Sequence, residues 1–126
     1  MNILFVYFDK IIQNDNLYVK SLCEEIRRQN GSVECSIDAF WNSTRKYDIV
    51  HIQFPEVIFK WRQPSDNGLK ALRQRIARLK SMGTKIVYTR HDAIPHYCTD
   101  KNKLELYRIV ETQSNAIIHL GEYSRQ

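Results

Sequence analysis

Short apolar runs alternate with longer amphipathic segments along the whole sequence, and this alternation limits the possible folds more than any other feature. The first run, residues 3–8, is continuously apolar and rich in β-forming residues, as expected of a strand buried on both faces of a parallel sheet. Further strands are predicted at residues 33–38, 47–53, 85–90 and 116–119. Helical spacing of apolar residues predicts helices over about 16–30, 66–82 and 101–113.

Strands that alternate with helices predict an α/β fold, a three-layer α/β/α Rossmann-like sandwich around a mostly parallel sheet. Only residues 39–46 separate the second and third strands. That link is either an abbreviated crossover, which we favour, or a connection between antiparallel strands. With right-handed crossovers the expected strand order is 3-2-1-4-5, which places the ligand crevice between strands one and four.

The size and composition are those of a single globular domain. The chain has 126 residues, of which 43% are hydrophobic and 26% charged. Its three cysteines contain no C-x-x-C pair, which indicates reduced thiols and a cytoplasmic location. The first run lacks the basic start of a signal peptide and is too short to span a bilayer, so neither a leader nor a transmembrane helix is expected.

Positive charge is concentrated in one part of the chain. Between residues 62 and 85 there are seven basic side chains against Asp66 alone, and four of them lie close together on the predicted helix: Arg73, Arg75, Arg78 and Lys80. These four are candidates for contact with an anion or a membrane surface, and a solvated helix face explains them equally well. Nucleic acid is not an expected partner, because no helix-turn-helix, zinc-finger or RNP-type pattern accompanies the charge.

The common cofactor motifs are missing. Residues 9–16, the loop after the first strand, contain no glycine, so neither a dinucleotide fingerprint nor a P-loop is present and no cofactor is expected. His91, Asp92 and His96 have the composition of a metal site, but their spacing matches no metal-binding signature and Pro95 interrupts it. No metal is therefore expected, and no local motif for a serine nucleophile is present.

Polar side chains gather where the predicted strands end. The candidate site residues follow strand one (Asp9, Asn14), strand three (Gln53, Glu56), strand four (Arg90, His91, Asp92, His96) and strand five (His119, Gly121). Carboxylate and imidazole groups at such an edge suit chemistry on hydroxyl and phosphate oxygens. His91 and Asp92 are the candidate catalytic pair, and the alternative for them is a pair that caps the loop. His51, inside strand three, is interpreted as a buried histidine that supports the site or the core.

Three segments carry a resemblance to a known family. They are residues 47–56 (YDIVHIQFPE), 84–96 (TKIVYTRHDAIPH) and 115–119 (NAIIH). These resemble the D-v-v-H-x-h-w-P, T-x-H-[DN]-x-x-P-H and a-D-x-i-h motifs in the amino-terminal domain of GT-B glycosyltransferases of the family-four type. The likeness covers the whole chain as a pattern of elements. The first loop departs from it by lacking glycine, and Gln53 stands where a second histidine is common.

The resemblance implies an acceptor-binding domain of a glycosyltransferase, which moves a sugar from a nucleotide-sugar donor to a glycan or lipid-linked acceptor. A second domain would hold the nucleotide sugar, and its carboxylate motif and nucleotide pocket have no counterpart in these residues. We therefore expect a truncated domain or a fragment that is inactive alone.

By the same resemblance, His91 would face the transferred sugar or its phosphate, with Asp92 beside it. In an inverting reaction Asp92 would act as the general base on the acceptor hydroxyl. In a retaining reaction His91 would orient the sugar and stabilise charge. Phe59 and Trp61 either form a flap that contacts the acceptor or fold back onto the core.

The alternative function is a non-enzymatic module that docks on an anionic membrane or a partner through its basic helix. Membrane contact also agrees with a glycosyltransferase, because lipid-linked acceptors lie at the membrane surface. Both readings allow a cytoplasmic protein that is peripheral at the inner face of the membrane.

Overall fold

The fold is described from a computed structural model, which covers residues 1–8, 24, 25, 28, 32–90 and 100–119. Its strands are β1 (Asn2–Val6), β2 (Ser32–Cys35), β3 (Ile49–Ile52), β4 (Lys85–Arg90) and β5 (Ala116–His119). Its helices are α1 (Ile37–Asn42), α2 (Asp66–Ser81), α3 (Lys101–Gln113) and a 3-10 helix (Pro55–Phe59). The helix predicted at about 16–30 lies outside the described residues, apart from residues 24, 25 and 28, which are helical.

All five strands form one parallel sheet flanked by helices, which confirms the predicted α/β, Rossmann-like fold. The predicted strand order of 3-2-1-4-5 is wrong, because the observed order is 2-1-3-4-5. The physical reason lies in burial. Val50 and Ile52 of β3 are fully buried, whereas every residue of β2 is partly exposed. The more apolar strand occupies the centre, and β2 takes the edge.

The short link between β2 and β3 is an abbreviated crossover, as predicted. Strand β2 ends at Cys35, earlier than the predicted residue 38, because Ser36 begins α1. The Ser36 hydroxyl accepts a hydrogen bond from the backbone N–H of Ala39 at 2.9 Å, which caps the helix. Helix α1 then carries the chain past β1, so that β3 joins the far side of β1 in parallel.

This order moves the topological switch point. In the 2-1-3-4-5 order the chain reverses between β1 and β3, and not between β1 and β4 as predicted. The register pairs Val6 with Ile52, so the residues that follow both strands start at the same edge. The crevice at this edge therefore borders the segments that follow Val6 and Ile52.

The described residues form two core clusters, one on each face of the sheet. Leu4 and Val6 belong to the larger cluster with the buried stripes of α2 and α3, and Ile3 and Phe5 belong to the smaller one. Successive residues of a strand point to opposite faces, so β1 is buried on both sides as its continuous apolar run predicts. Within the described ranges, no helix is long and apolar enough to cross a membrane.

Helices α2 and α3 begin and end close to the predicted positions. The Ser65 hydroxyl accepts from the backbone N–H of Gly68 at 3.0 Å, and the Asp100 carboxylate accepts from Asn102 at 2.9 Å. These caps satisfy helix donors that otherwise have no partner. Gly83, with a φ of +90°, follows α2 in the left-handed conformation in which helices commonly end.

Arg75 is a structural residue of the basic helix. Its guanidinium donates to the carbonyl of Phe40 at 2.5 Å and to that of Ser43 at 2.8 Å, which ties α2 to the end of α1. Burial, together with the nearby Arg78, lowers the pKa of Arg75. The side chain of Arg75 is thus committed to the fold, whereas Arg78 on the same helix is exposed.

Replacing Arg75 should destabilise the protein. We expect Arg75→Met to lower the free energy of unfolding by about 2 kcal/mol, since two partly buried carbonyls lose their donors. Arg78→Met, the matched change at an exposed position, should stay within about 0.5 kcal/mol of the wild type. Urea denaturation followed by circular dichroism measures both, and equal losses in the two variants would contradict this role for Arg75.

Candidate functional site

Three neighbouring strands end at the carboxyl edge of the sheet. They belong to the three segments that resemble glycosyltransferase motifs. Strands β3, β4 and β5 are direct neighbours, and the register pairs Ile52 with Tyr88 and Arg90 with His119. The segments that follow these strands therefore begin side by side. Gln53 and Glu56 follow β3, and Arg90 and His119 are the last residues of β4 and β5.

Several predicted site residues fall outside the part of the chain that the structure describes. They are Asp9, Asn14, His91, Asp92, His96 and Gly121. In the described ranges, no group of three or more His, Cys, Asp or Glu side chains is arranged to hold a metal ion. The set of His91, Asp92 and His96 lies outside those ranges.

Gln53 and His51 form a buried polar pair with Thr89 of the neighbouring strand. His51 Nε2 lies 2.5 Å from Thr89 Oγ1 and 3.2 Å from Gln53 Nε2. His51 also packs against Phe5, with ring centroids 4.6 Å apart. This confirms His51 as a satisfied buried histidine. Gln53 is only 1% exposed, so its amide supports the sheet edge from within.

Arg90 lies at the end of β4, next to α3. Its guanidinium Nη1 is 3.7 Å from Glu111 Oε1, and both side chains are about one quarter exposed. Neither Arg90 Nε nor Glu111 Oε1 has a hydrogen-bond partner among the described residues. The pair therefore keeps hydrogen-bonding capacity at the point where the chain leaves β4 toward His91.

Glu56, in the first turn of the 3-10 helix, is held by two residues of α3. Tyr107 donates its hydroxyl to Glu56 Oε2 at 2.5 Å, and Lys103 Nζ lies 3.8 Å from the same oxygen. The other carboxylate oxygen, Oε1, has no hydrogen bond or ion pair with any residue in the described ranges. Glu56 is thus oriented by its neighbours while one oxygen remains able to accept a hydrogen bond.

Phe59 and Trp61, two residues apart, take different roles. Phe59 packs against the core, where a Cβ added to Gly68 would lie 3.0 Å from its ring, and it meets Trp41 edge to face at 5.7 Å. The core interpretation is therefore right for Phe59. Trp61 is 55% exposed and rests on Phe54, with ring centroids 6.0 Å apart.

The backbone at this point is strained. Lys60 and Trp61 both have left-handed backbone conformations, with φ of 55° and 65°. Such angles are rare for bulky residues and cost of order 1–3 kcal/mol each. The turn is stabilised by hydrogen bonds from Lys60 N–H to the carbonyl of Val57 at 2.8 Å and from Trp61 N–H to that of Glu56 at 2.9 Å.

A cavity of about 220 Å³ lies between this turn and α3, and we call it the Trp61 cavity. Its lining consists of Glu56, Trp61, Arg62, Gln63, Pro64, Asp100, Lys103 and Leu106. Asn102 fixes one wall by donating to the carbonyl of Pro64 at 2.9 Å. The cavity thus combines an aromatic ring, two carboxylates, two cations and an amide, a set of groups suited to a polar ligand.

Comparisons of the chain with family models, with curated proteins and with solved structures return no match.

Lys103 and Tyr107 are site residues that the sequence analysis missed. They are four residues apart on α3, so their side chains lie on the same face of the helix. That spacing alone indicates a shared face, but it does not identify Glu56 as the partner. The contact depends on how α3 packs against the 3-10 helix.

The basic helix α2 has one buried apolar face and one face that carries its basic residues. Leu69, Leu72, Ile76 and Leu79 form its buried stripe. Of the predicted contact residues, Arg78 is exposed and Lys80 half-buried, while Arg73 Nη2 pairs with Glu105 Oε1 at 3.1 Å. With Arg75 tied to α1 and Arg73 paired with Glu105, Arg78 and Lys80 are the two of the four that have no such partner among the described residues.

Relieving the strain at Lys60 should stabilise the protein. We expect Lys60→Gly to raise the free energy of unfolding by about 1 kcal/mol, because the left-handed conformation costs roughly 1–2 kcal/mol and the flexibility of unfolded glycine offsets part of the gain. Lys70→Gly, an exposed position inside α2, should instead lower it by about 1 kcal/mol. Thermal and urea unfolding measure both, and a loss at position 60 equal to that at position 70 would contradict the strain.

Proposed function

We propose that this chain is the acceptor-binding domain of a glycosyltransferase that moves a sugar from a nucleotide-sugar donor to a glycan or lipid-linked acceptor. The observation that carries the proposal is the adjacency of β3, β4 and β5. The three segments that resemble family-four GT-B enzymes are distant in sequence, yet their strands are neighbours and end at one edge of the sheet. Ligands of parallel α/β sheets bind at that edge.

The chemistry of the edge supports the same proposal. Glu56 offers an oriented carboxylate oxygen, and carboxylates bind sugar hydroxyls by accepting their hydrogen bonds. His91 and Asp92 directly follow Arg90, the last residue of the middle strand of the three. We propose that Asp92 accepts a hydrogen bond from the acceptor hydroxyl and that His91 contacts the transferred sugar or its phosphate.

Binding measurements on the 126-residue chain test this function. Saturation-transfer NMR with a panel of neutral glycans and with UDP- and GDP-sugars should detect glycan binding and little or no binding of the nucleotide sugars. Asp92→Asn should weaken glycan binding about tenfold, since a charge-assisted hydrogen bond is lost. Asp48→Asn, the same change at an exposed residue preceding β3, is the control and should bind normally. Equal binding by both variants would argue against the role of Asp92.

The isolated chain should not transfer sugar, because its sequence has no motif for a nucleotide pocket. Incubation with radiolabelled nucleotide sugars and the glycans that bind should therefore give no labelled product. Detectable turnover by the 126 residues would contradict this expectation, even if acceptor binding holds.

A second candidate function is contact with an anionic membrane surface, supported by the exposed Arg78 and the half-buried Lys80 of α2. Each cation near an anionic bilayer contributes about 1 kcal/mol, so Arg78→Glu with Lys80→Glu should lower binding to acidic liposomes at least roughly tenfold. Sedimentation with acidic and neutral vesicles measures this. Equal binding to neutral vesicles would argue against an electrostatic role for α2.

A further inference from the structure

The exposed ring and the strained backbone of Trp61 both lower the stability of the fold, which indicates that Trp61 has a role in binding. More than half of the side chain is exposed, and its backbone adopts a left-handed conformation next to a second such residue, Lys60. Tryptophan is enriched at interfaces, and strained backbone residues cluster at ligand sites. Phe59, two residues earlier in the chain, packs against the core, so Trp61 is not needed to fill that space.

The Trp61 cavity suits a small uncharged ligand. Its two carboxylates, Glu56 and Asp100, are balanced by Arg62 and Lys103, so the lining has no excess charge to attract a phosphate. Its volume of about 220 Å³ lies below the roughly 300–1,000 Å³ of pockets for drug-sized ligands. A nucleoside diphosphate is too large and too strongly charged for this cavity.

The groups around the cavity match the two kinds of surface that a sugar ring presents. The face of an indole carries negative charge density and attracts the C–H groups of a pyranose ring. Glu56 Oε1 can accept from a hydroxyl, while Gln63 and Lys103 can donate to ring or hydroxyl oxygens. Tyr107 and Lys103 hold the Glu56 carboxylate in place before any ligand arrives, which lowers the entropy lost on binding.

We infer that the Trp61 cavity is a subsite for an additional, uncharged sugar ring of the acceptor, so that the acceptor is a glycan of at least two rings. This inference rests on the proposed function. Trp61 lies beyond the 3-10 helix that follows β3, whereas His91 follows β4 directly. In this inference the ring stacked on Trp61 is a second ring of the acceptor, and another ring receives the transferred sugar.

A chain-length series tests the subsite. Isothermal titration calorimetry with neutral monosaccharides and the corresponding di- and trisaccharides should show a gain of roughly tenfold in affinity when the second ring is added. Trp61→Gly should abolish that gain, since it removes the ring at a backbone position that glycine tolerates. Lys60→Gly relieves the adjacent strain but keeps the indole, and it should preserve the gain.

NMR of the unaltered chain gives an independent readout, because the protein has only two tryptophans. The Nε1–H of Trp41 donates to the carbonyl of Ile58 at 3.1 Å, so its indole signal should stay in place, whereas that of Trp61 should shift as disaccharide is added. If Trp61→Gly binds disaccharides as well as the wild type does, the subsite is disproved while acceptor binding stands. If no glycan binds the wild type, the proposed function fails and the subsite with it.

Discussion

The burial of β3 between two parallel neighbours is the constraint on which the rest of the structure depends. A central parallel strand must be buried on both faces. Val50 and Ile52 have no exposed surface on one face, and His51, on the other, is 6% exposed and hydrogen-bonded to Thr89. Its central position makes β1 and β4 its direct neighbours. It also determines where the chain emerges, since the 3-10 helix starts at Pro55 just past the end of the strand.

From that point the chain builds the candidate site within a few residues. Glu56 contacts α3 through Tyr107 and Lys103, and Phe59 anchors the turn in the core beside Gly68. These contacts hold the two left-handed residues in place, which explains how the fold tolerates their strain.

The basic helix shows why charge in a sequence is an incomplete guide to function. Arg73, Arg75, Arg78 and Lys80 look equivalent along the chain, but Arg75 bonds two carbonyls of a neighbouring segment and Arg73 pairs with Glu105. Net charge therefore overstates the number of cations that are available to a partner. The difference arises from the packing of α2 against α1 and α3.

The sequence by itself determined the kind of fold and the type of each element. Uninterrupted β-rich runs and helical spacing identified every strand and both long helices that the structure describes, because burial on one or two faces leaves a periodic trace in the residues. The limits of α2 depend on local chemistry as well, since the Ser65 hydroxyl caps its start and the left-handed Gly83 follows its end. The sequence also identified Glu56 as a candidate site residue, since polar residues after a buried strand lie at the ligand-binding edge.

Only the tertiary structure decided the strand order, the role of Arg75, the partners of Glu56 and the separate roles of Phe59 and Trp61. Each of these depends on which distant segments compete for the same buried space. Strand β3 lies inside the sheet and β2 at its edge because β3 buries more apolar surface, and Phe59 packs beside Gly68 while Trp61 remains exposed. Local periodicity does not record such competition, because its outcome depends on long-range packing.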